Sequence, residues 1–211
     1  MKKQEPFKIV KISYIVGIIL SFLLSYLKDN IVDSYGILSA IKVSSILTIW
    51  WLFYFNIGWK IPIFNKILYK INLNGTWYGT YESSSSNSSK VNKGNIVIRI
   101  KQSFLNIHVT SYTEKYANYS HSEDLKYDED ADMYGLIYVY SQKENSPLDL
   151  AERNGTAELK VVDGNNECKL GGDFWTILGT TGKLELTRVS KNIVNSFLDG
   201  KNLYKKYKNT R

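Results

Sequence analysis

Between Ile12 and Leu27 the chain reads ISYIVGIILSFLLSYL, sixteen residues without a charge. A run of that length and composition has to be buried in protein or in lipid. Extended back to Ile9, with Lys11 snorkelling its amine to the interface, it reaches nineteen residues. At a rise of about 1.5 Å per residue this is enough to cross a hydrocarbon layer of roughly 30 Å. A second run, Ile37 to Ile57, carries only Lys42 and leads into the aromatic segment IWWLFYFNIGW. Trp50, Trp51, Tyr54 and Trp59 are the residue types that sit where a helix meets the headgroup layer. The reading is a helical transmembrane hairpin with spans at about 9–27 and 37–57. The competing readings are a signal peptide for the first run and a buried core helix for the second. Leu27 is followed by Lys28, Asp29 and Asn30 and then by more apolar chain, which is not a small-residue cleavage site.

Lysine placement sets the orientation. Lys2, Lys3, Lys8 and Lys11 flank the first span and Lys60, Lys66 and Lys70 follow the second, whereas the intervening loop has Lys28 beside Asp29 and Asp33. Both termini are therefore expected in the cytoplasm, with the protein multi-pass in a bacterial inner membrane. This also explains the net charge of +7. Residues 1–70 hold nine lysines against three acidic residues, and the tail from Lys191 holds six basic residues against Asp199. Residues 71–190, with 12 basic and 16 acidic residues, are mildly acidic, so a broad surface for DNA or RNA is not expected.

After a connector at 61–72 the period of the pattern changes. Ile96, Ile98 and Ile100 alternate with Val97, Arg99 and Lys101, and Leu105, Ile107 and Val109 alternate with Asn106, His108 and Thr110. Eight strands are predicted, at roughly 73–82, 95–102, 105–113, 120–127, 133–141, 154–162, 167–177 and 183–190, with turn chemistry at 163–166 and 179–182. Eight short strands without intervening helices predict an all-β domain over 73–190, an eight-stranded antiparallel barrel whose closure removes exposed edges. The low-complexity tract Ser83 to Ser89 reads as a flexible loop, and the acidic run Asp128, Glu129, Asp130, Asp132 as a solvated turn. The tail, 191–211, reads either as an amphipathic helix lying on anionic lipid or capping the barrel, or as solvated chain.

Chemistry-bearing residues are few. Cys168 stands alone and the two histidines, His108 and His121, form no evident metal set or nucleophile–base pair, so no enzymatic activity, cofactor or metal is expected. A barrel of eight strands is just wide enough to be filled by side chains or to hold one small ligand. Several alternate positions carry hydroxyls, amides and aromatics where a structural core would carry Val or Leu. These are Gln102, Ser120 and Ser122, Tyr138 and Tyr140, and Trp175 and Thr176 ahead of Thr180. Arg188 has the parity of Leu184 and Leu186, and facing inward it would call for an anion such as phosphate. These nine residues are the candidate ligand-binding set. Each has a structural reading beside it, core or rim for the aromatics and an acidic partner for Arg188.

Two membrane helices followed by LNGTWYGTYESS at the first strand resemble Cap15, the membrane-anchored effector family of bacterial CBASS anti-phage defence. IRIKQSFLNIHVTSYTEKYANYSHSEDL, MYGLIYVYSQKEN, NGTAELKV and LGGDFWTILGTTGKLELTR are similar to the family's later strands. The chain departs from the pattern at Ile177 to Gly179, where an arginine is favoured, and in its extended tail. The resemblance implies a barrel that senses a cyclic dinucleotide made by a partner cyclic-nucleotide synthase. Sensing would drive homo-oligomerisation, and the helices would then disrupt the lipid bilayer and kill the infected cell. The alternative is a membrane-anchored, lipocalin-like module for an apolar ligand, in which Trp77 of GlyThrTrp plugs the barrel base.

Overall fold

The computed structural model describes residues 4–30, 42–65, 67–68, 70–85, 88–143, 154–163 and 168–210. It divides into two compact units, Met1–Lys70 with Ser103–Leu105, and Ile71–Gln102 with Asn106–Arg211.

In the first unit α1 spans Gln4–Asn30, and within it Phe7–Leu27 is a 21-residue stretch long and apolar enough to cross a membrane. The second helix, α2, covers Val43–Asn56 and has 14 residues. At a rise of about 1.5 Å per residue it falls short of a bilayer core. The expected hairpin thus has one full-length helix and one short one, and the first residues of the expected second span, 37–41, lie outside the described residues. Gly17 of α1 lets the helices approach, since a Cβ there would sit 3.6 Å from Leu47, and Trp51 Nε1 donates to Ser13 Oγ at 2.8 Å. A single turn of 3₁₀ helix at Gly58–Lys60 and the short α3, Pro62–Asn65, follow. Tyr54 and Trp59, expected in an interfacial aromatic belt, are instead fully buried with Leu68 and Phe104. The Tyr54 hydroxyl donates to the Leu68 carbonyl at 3.3 Å and accepts from its N–H at 3.2 Å, which satisfies this buried phenol, whereas the buried Trp59 Nε1 has no hydrogen-bond partner.

In the second unit eight strands close a barrel in sequence order: β1 Gly75–Ser85, β2 Ser88–Gln102, β3 Ile107–Tyr112, β4 Ala117–Asp128, β5 Met133–Lys143, β6 Asn154–Asp163, β7 Cys168–Thr176 and β8 Thr180–Ser190. Every pairing is antiparallel, and β1 is bonded to both β2 and β8. The period-two pattern places Trp77, Ile96, Ile98, Ile100, Val109, Leu136, Leu159, Leu170, Leu184 and Leu186 in one core. The strands run longer than their hydrophobic residues indicate. The serine tract is largely β-structure, with Ser83 opposite Asn92 and Ser85 opposite Ser88; only residues 86–87 lie outside the described chain. Serines carry no apolar signal, but their backbones complete the ladder to β8, where Ser84 faces Thr181. The acidic run makes the β4–β5 turn, with Asp128 Oδ1 accepting from the N–H groups of Asp130 at 3.0 Å and Ala131 at 3.1 Å.

The tail is folded. Ser196 caps α4, Phe197–Asn209, by accepting from Asp199 N–H at 3.1 Å. Helix α4 lies on the outer wall formed by β1, β2 and β8. Gly200 sits directly on the Val97 methyls, where a Cβ would meet them at 2.5 Å, and Tyr204 stacks on Tyr78 with centroids 4.2 Å apart. This cover is why Tyr78 and Val97, which point out of the barrel, are buried.

Candidate functional site

The two ends of the barrel are built differently. At the end where the chain enters, Trp77 is fully buried and its Nε1 donates to the Leu73 carbonyl at 3.0 Å. Arg188 places its guanidinium 5.5 Å from the Trp77 ring centroid and donates to the Asn72 carbonyl at 2.6 Å. Gln102 accepts from Leu73 N–H at 2.7 Å and donates to the Ile71 carbonyl at 2.9 Å. Two of the expected ligand contacts, Gln102 and Arg188, therefore bind backbone of the 71–74 segment and close this end. Arg188 shares the face of Trp77, its partner across the ladder, and Gln102 reaches the same end; height along the barrel depends on register, which alternation along one strand does not carry. Arg188→Ala should cost about 1–2 kcal/mol of barrel stability through the lost cation–π contact and hydrogen bond, read by denaturant unfolding. An unchanged midpoint would show that Arg188 contributes nothing to this closure.

At the opposite end lies a cavity of about 430 Å³, within the range of small-molecule sites. Four of the nine predicted residues meet there, Tyr138, Tyr140, Thr176 and Thr180. They are joined by Tyr81, Ser83, Ser85, Ser111, Thr113, Tyr116, Asn118, Gln142 and Phe174, with Ile96, Leu178 and Leu184 among the apolar contacts. The lining is neutral, made of hydroxyls, amides and aromatic faces. Its room comes from three glycines that face aromatics across the ladder: Tyr81 opposite Gly94, Tyr140 opposite Gly155, and Phe174 opposite Gly182. A Cβ would lie 2.8 Å from the Tyr81 ring, 2.5 Å from the Tyr140 hydroxyl and 2.5 Å from the Phe174 ring. Each ring thus lies flat over bare backbone instead of projecting across the lumen. Thr176 also shapes the rim. Its Oγ1 accepts from Thr180 N–H at 3.2 Å and its carbonyl from Gly179 N–H at 3.0 Å, with Gly179 at φ 74°.

The remaining predicted residues are elsewhere. Ser122 is exposed and faces outward, because a bulge between Ser120 and Ser122 inverts the parity of β4. Trp175 also faces outward, 43% exposed, beside Val91 and Lys183 in a separate groove of about 420 Å³. Ser120 does face inward and is buried, but its hydroxyl is committed. It donates to Glu123 Oε1 and accepts from Val109 N–H at 2.8 Å, with His108 Nδ1 3.2 Å away. His108 Nδ1 lies 3.1 Å from Glu123 as well. A serine, a histidine and a carboxylate converge, yet serine and carboxylate meet the same imidazole nitrogen, whereas a proton relay needs them on opposite ones. The cluster pins the bulge.

Burial pushes the Tyr140 phenol up to about 12 and raises Tyr138, which is 3% exposed and also beside Tyr140. Folding therefore favours the neutral phenols. Their contribution is complete below the ordinary phenol value of about 10 and is lost as pH rises through about 12. Alkaline titration should show phenolate absorbance from these two rings appearing together with loss of β-sheet circular dichroism. Ionisation of every tyrosine near pH 10, ahead of unfolding, would contradict it.

A family model, Cap15 cyclic dinucleotide receptor domain, matches residues 70–188, a span that starts just before the barrel and ends in β8. The chain belongs to the Cap15 family. The matched segment contains the glycine–aromatic pairs and the whole described lining of the cavity. Membership supports a CBASS-type defence effector that senses cyclic nucleotides through a ligand-binding, non-catalytic domain, with an N-terminal apolar helix suited to membrane association. Comparison with curated proteins finds no match.

Proposed function

We propose that the neutral cavity at the open end of the barrel binds a cyclic dinucleotide, and that binding shifts the chain toward an oligomer whose membrane helices disrupt the bacterial inner membrane. The observation that carries this reading is the lining. Hydroxyls and amides interleaved with Tyr81, Tyr140 and Phe174 suit ribose and base, and a lipid carrier would want an aliphatic lumen in their place. Family membership supports the ligand class.

The domain reading follows: membrane module at 1–60, connector at 61–72, sensing barrel at 73–190, and the tail with its helix at 191–211. Both termini are cytoplasmic by lysine placement, and the barrel lies where a synthase would release its product. Gating needs only differential affinity. A ligand bound ten times more tightly by the assembled state shifts assembly by about 1.4 kcal/mol per site. Several barrels gathered together would concentrate their tethered helices in the bilayer.

Calorimetry of the full chain in detergent micelles against cyclic di-AMP, cyclic UMP–AMP, cyclic GMP–AMP, cyclic di-GMP and cyclic di-UMP tests the binding step. Co-expression with a synthase for the best ligand, followed by membrane potential and crosslinked oligomers, tests the rest. Absence of binding to every member, with an undisturbed membrane potential, would discard the reading.

A further inference from the structure

We propose that Asn118 and Gln142 read the edge of one nucleobase inside the barrel, while the ligand's phosphates stay at the rim. This rests on the reading of the cavity as a cyclic dinucleotide site, and it names the part of the ligand that enters and the side chains that select it. Asn118 on β4 and Gln142 on β5 are direct partners in the ladder, and both line the cavity. Asn118 Oδ1 and Gln142 Nε2 are buried yet have no hydrogen-bond partner. Buried polar atoms are almost always paired, so an orphaned acceptor beside an orphaned donor calls for a specific occupant.

The Asn118 amide is held in position, because its Nδ2 donates to Ser111 Oγ at 3.0 Å. Its oxygen is therefore the free group. One acceptor next to one donor is the complement of a nucleobase edge, which carries a donor and an acceptor on adjacent atoms, as in adenine N6 and N1 or uracil N3 and O4. The neighbouring Tyr140 supplies a ring face for stacking.

The phosphates are excluded by charge. No lysine or arginine is among the described residues lining the cavity, and Arg188 is engaged at the other end of the barrel. An ionised phosphodiester stripped of water without a counter-charge is costly to bury, whereas a base is not.

The test is the same five-member panel, titrated by calorimetry into the full chain in detergent, with Gln142→Met and Asn118→Leu beside the parent. The parent should rank the panel over at least about tenfold in Kd, since a site built to hydrogen-bond rejects a mismatched edge. Gln142→Met should weaken the best ligand by about tenfold or more and compress the ranking. Its ligand-free thermal midpoint should stay level or rise, because an unpaired buried amide has been removed. Asn118→Leu repeats the affinity test through the acceptor if the first variant folds poorly. Variants that weaken all members equally, or that leave the ranking intact, overturn base reading while the receptor function stands. Failure of every member to bind the parent removes the receptor function and this inference with it.

Discussion

Trp77→Ala should unfold the barrel or leave it barely folded. The indole is fully buried, its N–H is satisfied by the Leu73 carbonyl, and the Arg188 guanidinium lies 5.5 Å from its ring centroid. Truncating a buried tryptophan costs about 3–5 kcal/mol, because the surroundings refill the space only in part. A domain stability of about 5–15 kcal/mol makes that a large fraction. The loss of Arg188's partner adds to it, since both residues hold the 71–74 segment over the closed end. Urea unfolding followed by circular dichroism is the measurement. A midpoint within error of the parent would mean that the closed end is not packed around this ring.

The second large effect is on ligand response. Gly94→Ala puts a methyl 2.8 Å from two ring carbons and the hydroxyl oxygen of Tyr81, all of them side-chain atoms. The ring can move, so the fold should survive, with the thermal midpoint changed little. The direction left to it is the cavity that it now lines. Binding of the best cyclic dinucleotide should then fall by about a hundredfold, or about 2.7 kcal/mol. Removing the ring as well, in Gly94→Ala with Tyr81→Ala, should recover much of the affinity by restoring space. A single variant that binds normally, or a double variant that rescues nothing, would place the ligand away from this wall.

Parts of this site were legible before any coordinates. Tyr138 and Tyr140 announce a polar lumen by alternation alone, and Thr176 with Thr180 brackets the rim turn. Asn118 and Gln142 stand at equivalent alternate positions, but their strands reach past the last hydrophobic residue, so β4 was expected to begin at 120 and β5 to end at 141. The serines at 83 and 85 were missed for the same reason. Ser122 failed differently. A bulge is one extra residue in one strand, and it reverses every later inside–outside assignment without altering composition. Gln102 and Arg188 had the right face at the wrong end, which parity cannot distinguish.

By itself the sequence determined what is local: an apolar run long enough for lipid, lysines that flank it, eight period-two segments, and enough motif likeness to name the family. Those properties depend on residue type within a few positions along the chain. Only the tertiary structure decided which strand residues share a level, because barrel closure sets the register of all eight strands together. That common register seats Arg188 on Trp77, lays three rings over three glycines, and sets Asn118, with its unpaired Oδ1, opposite Gln142, with its unpaired Nε2, at the open mouth.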